Sequence, residues 1–242
     1  ELRYAQGVAL WYVPGEEGWR LTSSWPPKQT WVTRHLGQGT GARCAGVLQE
    51  APSAGGRWTW VHDPDDPVPT QGGAGMLAGA LPLFPGAKVG FRRDRVDCAR
   101  REDVLSFAST PQDEAFVLAG SPRAELRITS DARAGAVVLR VLERRADGRE
   151  ILVREGGATF HTVDDATPVD VTVSTVPVAW TFGAGSRVVV EVTSSSFPKF
   201  ESHAGVPERW DLATETRTST HTLWLPDSRV SWPIASPAPG RP

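Results

Sequence analysis

Arg187-Val188-Val189-Val190-Glu191-Val192-Thr193-Ser194-Ser195-Ser196-Phe197-Pro198-Lys199-Phe200 is the stretch from which the fold of this chain is read. Val188, Val190 and Val192 fall on one side and Val189, Glu191 and Thr193 on the other, the period-two pattern of a strand. The β-branched side chains stiffen the segment and favour a pleat over a helix, so it reads as a buried strand. Pro198 has no amide proton for a ladder and disfavours helical torsions at Phe197, so pairing should stop there. Two rings flank Pro198 and Lys199, and at least one should plug a core or an interface. A strand end closed by an aromatic corner is the favoured reading, a binding loop the other.

Outward from that strand, the composition agrees. The chain of 242 residues contains 24 Gly and 20 Pro, and long runs of Ala, Leu, Glu and Lys at helical spacing are missing. Many short strands between turn residues predict an all-β sandwich or barrel, and a sandwich of this length is commonly one unit. We therefore expect one β-sandwich domain over residues 1–235 and a Pro-rich tail over 236–242. A formal charge of −2 gives no reason to expect nucleic acid, an anionic membrane or a strongly charged substrate. No apolar run reaches the roughly 18 residues of a spanning helix. Glu1-Leu2-Arg3-Tyr4-Ala5 has neither the basic start nor the apolar middle of a signal peptide, and the absence of an initiating Met suggests a chain trimmed from something longer. The compartment is left open between cytoplasmic and secreted, for a soluble chain. Cys44 and Cys98 are the only cysteines. They lack metal-ligand spacing, and buried free thiols are favoured over a disulfide.

In chain order, Val8–Val13 reads as a first strand ended by Pro14-Gly15, and Trp19 and Trp25 read as core or edge plugs. Trp31–Leu36, a short strand through Val47 and Arg57–Val61 follow. Asp63-Pro64-Asp65-Asp66-Pro67-Val68-Pro69-Thr70-Gln71-Gly72-Gly73 is rigid but non-repetitive, a loop held in shape for a purpose. Its three aspartates invite a calcium site, but no EF-hand spacing is present and a capped turn is preferred; we expect no metal and no cofactor. Val89–Arg93 reads as a short edge strand. Ala124–Thr129 alternates one buried and one wet face, Val137–Leu142 continues the sheet, and Asp147-Gly148 is a hairpin turn. Thr159–Thr162 and Val169–Val173 add strands, and Thr222–Leu225 with Val230–Ile234 read as a closing pair.

Several of these motifs resemble the C-terminal domain of the cocaine-esterase and X-prolyl dipeptidyl-peptidase family of serine hydrolases. Thr193–Phe200 is similar to that domain's strand and turn, and Asp63–Gly73 to its Asp-Pro, Pro-Val-Pro-Thr and Gly-Gly sequence, the most specific match. Trp19-Arg20, Trp25-Pro26, the charged run before Asp103-Val104-Leu105, and Asp147-Gly148-Arg149 before Ile151-Leu152 look like further family features. The resemblance runs from about Val8 to about Ile234, weakening over Gln49–Gly56 and after Phe200, where Glu201–Gly205 lacks the family's Asn-rich turn. It implies a jelly-roll β-sandwich of the galactose-binding-domain-like type, with long loops and little helix. It also implies a partner, an α/β-hydrolase domain of the same parent protein, and leaves room for a homodimer. In the family the stretch after the paired glycines lies near the hydrolase domain. Met76 and Leu77, with Pro69, Thr70, Phe197 and Phe200, are therefore the candidates for a pocket wall or domain interface.

A serine hydrolase needs an activated serine, a base, an orienting acid and an oxyanion hole, and such a nucleophile commonly sits in Gly-x-Ser-x-Gly. That motif is absent, and His35, His62, His161, His203 and His221 show no pairing in sequence. We expect no catalytic residues in this chain; the resemblance assigns acyl transfer through an acyl-serine, on ester or X-prolyl substrates, to the other part of an intact parent. The alternative is a free-standing carbohydrate-binding module, with Trp11, Trp31, Trp58 or Trp210 stacking on a sugar. A coplanar exposed pair of rings beside Asn, Asp or Gln would favour that module; a broad apolar face, which we expect around Met76, Leu77 and Phe197 or Phe200, would favour a missing partner domain.

Overall fold

The computed structural model describes residues 9–14, 18–40, 44–70, 101–207 and 212–236, which form strands and loops with no helix among them. In order these are β1 (Ala9–Val13), β2 (Gly18–Thr22), β3 (Gln29–Gly37), β4 (Gly46–Gln49), β5 (Arg57–His62), β6 (Leu105–Ala108) and β7 (Phe116–Gly120). Then come β8 (Arg123–Ser130), β9 (Ala134–Arg144), β10 (Glu150–His161), β11 (Val169–Ser174), β12 (Val178–Phe182), β13 (Arg187–Thr193) and β14 (Ser219–Ala235). The strand expected at Val89–Arg93 lies outside the described residues.

One large sheet runs β10-β9-β13-β6-β4-β3-β14-β7-β12, with β5 and β8 also on β14, and β11 on β8. Its pairs are antiparallel except the short parallel pairing of β4 with β6. β14 turns the corner between the two layers. Its first half pairs with β5 and its second half with β3, while β8 follows its other edge through both. Val188, Val190 and Val192 of β13 meet Leu126 and Ile128 of β8 and Leu223 of β14 in one core cluster. The reading of an all-β sandwich therefore holds. Burying such side chains contributes roughly 1.5–3 kcal/mol each.

Two strands are longer than expected. Thr222–Leu225 and Val230–Ile234 belong to one strand, β14, rather than a pair. The irregularity between Trp224 and Arg229 is stitched by Ser228, whose Oγ donates to the Trp224 carbonyl at 2.6 Å and accepts from Arg127 N at 3.1 Å. The bulge accommodates Pro226, which has no ladder proton to offer. Ile151-Leu152 and Thr159–His161 likewise share β10, with a bulge between Leu152 and Arg154. Its Gly156 resembles a turn signal in sequence but serves close approach: a Cβ there would lie 2.1 Å from the Ser174 carbonyl oxygen. The Asp147-Gly148 turn joins β9 to β10 as expected, with Gly148 at φ 85° and Asp147 Oδ1 accepting from Arg149 N at 3.0 Å. Cys44 is disulfide-bonded, not a free thiol; sequence spacing does not reveal whether a folded chain brings two Cβ atoms within bonding distance.

Candidate functional site

At the end of β13 the chain leaves the sheet through Ser194-Ser195-Ser196, all buried, and turns at a cis Phe197–Pro198 bond. Val68-Pro69-Thr70 lies alongside, with Pro69 and Phe197 bridged in parallel. The Phe197 amide donates to the Val68 carbonyl at 2.9 Å, and the Thr70 amide donates to the Phe197 carbonyl at 2.6 Å. Side chains complete the seam. Ser195 Oγ accepts from Val68 N at 2.8 Å, Thr70 Oγ1 donates to the Ser196 carbonyl at 2.8 Å, and Trp60 Nε1 donates to Ser194 Oγ at 2.8 Å. Two segments about 130 residues apart in sequence are thus joined into one ridge, and every polar atom named here has a partner.

Beneath the ridge lies a buried ionic row that the sequence reading missed. Arg140 of β9 is directly opposite Glu155 of β10 on one side and Glu191 of β13 on the other. Its guanidinium stands 3.5 Å from Glu155 and 3.7 Å from Glu191, and the three side chains are no more than 2% exposed. Arg140 Nη2 also donates to Ser196 Oγ at 3.0 Å and to the Pro69 carbonyl at 3.2 Å. Ser196 Oγ in turn donates to Glu155 Oε2 at 2.8 Å, and Lys199 Nζ lies 3.0 Å from Glu155 Oε1. Two cations face two carboxylates, so the charge of the row is balanced. The signal available in the sequence was Arg140 itself, a planar five-donor cation inside the apolar run Val137–Leu142.

Of the expected site residues, Pro69, Thr70, Phe197 and Phe200 are therefore brought together on one ridge; Met76 and Leu77 lie outside the described residues. Thr70 is buried, Phe197 and Phe200 are half-buried, and Lys199 reaches over the Phe200 ring at 5.5 Å. Phe200 packs over Gly157 of β10, where a Cβ would meet its ring at 3.9 Å. A cleft of about 510 Å³ opens beside the ridge, bordered by Pro64, Pro67, Phe197, Ser202, Thr214 and Thr216. The loop before the ridge is a capped turn: Asp63 Oδ1 accepts from Asp65 N at 3.0 Å, and Asp66 is 3.2 Å from Arg101, which also holds Asp103 at 2.8 Å. Among the described residues no three His, Cys, Asp or Glu side chains are grouped to hold a metal ion.

Three histidines brace the same end. His62, the last residue of β5, donates from Nε2 to the His203 carbonyl at 2.8 Å, tying the start of one loop to the continuation of the other. Its ring stacks at 6.4 Å on His221, which is fully buried. His221 touches Ser130 Oγ at 2.9 Å and Ser219 Oγ at 3.2 Å, a contact sealed from solvent. Burial lowers the pKa of His221 to about 3 and also lowers those of His62 and His203.

One group of exposed large apolar side chains lies on the β1–β2 hairpin. Leu10, Tyr12, Trp19 and Leu21 are each about half exposed or more. Trp19 is thus no core plug, because the side chain of β2 that turns inward toward Trp11 is Arg20. Of the tryptophans considered for sugar stacking, Trp11 and Trp58 are buried, Trp31 is capped by Arg123 at 5.0 Å, and Trp210 lies outside the described residues. The exposed Tyr12 and Trp19 rings meet at 65°, which is not a coplanar platform.

The family described as the X-Pro dipeptidyl-peptidase C-terminal non-catalytic domain matches residues 5–226. Cocaine esterase from Rhodococcus sp. (strain MB1 Bresler) is 26% identical over 207 residues, covering 80% of this chain and 35% of that protein. Among solved structures, an aminopeptidase from a marine sediment Thaumarchaeota archaeon superposes with a TM-score of 0.74 at 21% identity, covering 94% of this chain and 40% of its own. An α-amino acid ester hydrolase gives 0.69 at 19% identity, with 93% and 40% covered. A CocE/NonD family hydrolase from Staphylococcus aureus gives 0.61 at 14% identity, with 95% and 41% covered. The chain spans only 35–41% of the length of these relatives. By the extent of the family match, this chain belongs to the family of X-Pro dipeptidyl-peptidase C-terminal non-catalytic domains.

Proposed function

We propose that this domain packs on an α/β-hydrolase domain of a serine hydrolase, an acyl esterase or X-Pro dipeptidyl-peptidase. In that assembly the ridge of Pro69, Thr70, Phe197 and Phe200 walls the acyl end of the substrate pocket, a role we extend from the family resemblance to Met76 and Leu77. The jelly-roll, galactose-binding-like topology belongs to the same proposal. The observation that carries it is the ridge's support. Half-exposed rings and a proline are held by buried charges and a two-segment seam, the arrangement expected where a surface must keep its shape against a partner. The domain's contribution is to shape the site and exclude water from it, while nucleophile and base come from the hydrolase part.

The test is a Thr70→Val variant of the full-length hydrolase carrying this domain. Loss of the Thr70 hydroxyl bond to Ser196 loosens the ridge by about 1–2 kcal/mol. With short-chain nitrophenyl esters, KM should rise several-fold while kcat falls less. Unchanged kinetics would sink the pocket-wall role, and ester turnover by the present 242-residue chain alone, abolished by a serine-directed inhibitor, would sink the division of labour.

A further inference from the structure

The β1–β2 hairpin has the polarity of its second strand inverted. Its register places Leu10 opposite Leu21 and Tyr12 opposite Trp19, and these four share one face. They are 48%, 66%, 50% and 65% exposed respectively. On the other face Trp11 and Val13 join Val117, Ala119 and Ala235 in a small core. There too lie the polar residues of β2: Arg20 stands 5.7 Å over the Trp11 ring, and Thr22 accepts from Trp11 Nε1 at 3.0 Å. A solvent-facing hairpin puts its polar side chains outward; this one puts them inward and presents an uninterrupted apolar row with two aromatic anchors.

We propose that this outward row is the seat of the hydrolase domain, a docking surface distinct from the pocket-wall ridge. The inference rests on the function proposed above. The occupant is argued from the relatives, in which the matched segment is the C-terminal part and some three-fifths of the protein lies outside it. In such proteins the polypeptide leading into the counterpart of β1 comes from the rest of the hydrolase, so its surface is held at high local concentration beside this hairpin. Charge agrees: Arg20, the only charged residue in the ten residues of β1 and β2, faces inward. Among the described residues of the hairpin the outer face is therefore neutral, as in the core of a permanent interface, and offers no cation to an anionic membrane.

Hydrogen exchange over residues 9–22 tests this, measured in the present chain and in the full-length polypeptide that carries it. We expect exchange at least about tenfold slower in the full-length protein. A Leu10→Thr/Leu21→Thr variant of the full-length protein should return the hairpin to the rate of the isolated chain. Val61→Thr, at an exposed position on β5, should change nothing. Protection at residues 68–70 and 197–200 without protection at 9–22 overturns this inference and leaves the proposed function standing. Protection at neither overturns both. Self-association of the isolated chain through the hairpin in sedimentation velocity, or binding to phosphatidylserine vesicles, overturns the choice of occupant. A reading frame with no hydrolase domain upstream of Glu1 does the same.

Discussion

The Glu155–Arg140–Glu191 row and the Leu10/Leu21, Tyr12/Trp19 face are both built from cross-strand neighbours, yet they place opposite chemistry in opposite surroundings. The first buries full charges in the sandwich; the second leaves aromatic and aliphatic side chains in water. Desolvating ions costs several kcal/mol each and is offset only when every partner is present. Exposing apolar area forgoes roughly 25 cal/mol per Å². Neither arrangement serves the stability of this domain in isolation. The ionic row holds a ridge in place from beneath, whereas the hairpin face gains stability only when something covers it.

Breaking the charged row should have the largest effect. Arg140→Met removes the guanidinium shared by buried Glu155 and Glu191 and leaves Glu155 only Lys199, and unfolding in urea should show a loss of about 3–5 kcal/mol. A change below about 1 kcal/mol would mean that the row relaxes to water and does not support the ridge. Acid sharpens the comparison next. An unfolded imidazole takes a proton near its ordinary value of 6.5, but buried His221 does so only at about 3, and His62 and His203 are lowered too. Between those values the unfolded state binds more protons, so stability is complete above about pH 6.5 and falls as the pH drops. The urea midpoint should decline from pH 7 to pH 5, with His221 alone contributing a slope of up to about 1.4 kcal/mol per pH unit. His221→Gln should flatten it; an unchanged slope would assign the acid sensitivity to other groups. The hairpin should respond least. Leu21→Thr in the isolated chain should shift stability by no more than about 0.5 kcal/mol, because the side chain already faces solvent. A loss of 2 kcal/mol would show that its outer face is packed in this chain and needs no partner.

Much of the architecture was legible because the informative strands carry period-two patterns that few alternatives share. Ala124–Thr129, Val137–Leu142 and Arg187–Thr193 lie inside β8, β9 and β13, with Asp147-Gly148 at a turn. What escaped depends on partners distant in sequence. Gly156 looks like punctuation until Ser174 lies against it, and Pro226 looks like a strand end until Ser228 closes a bulge around it. Pro69 and Thr70 could be set beside Phe197 and Phe200 through family resemblance, but not the guanidinium beneath them. That position depends on Arg140 falling in register with Glu155 and Glu191 across two strand pairs. The hairpin misled for another reason. Trp19 reads as a core or edge plug because large rings are usually buried, yet its register with Tyr12 puts it on the outer face of the hairpin, 65% exposed.

The 17-residue strand β14 takes partners from β3, β5, β7 and β8, all of which precede it by at least 89 positions. A ribosome adding residues in order must therefore release most of the chain before those four strands acquire their shared neighbour. Until then their edges are bare, and a nascent chain in that condition is a natural client for chaperones. Premature termination upstream of Ser219 would strip out the seam between the two layers and leave a polypeptide destined for proteolysis, however complete its remaining hydrophobic sequence.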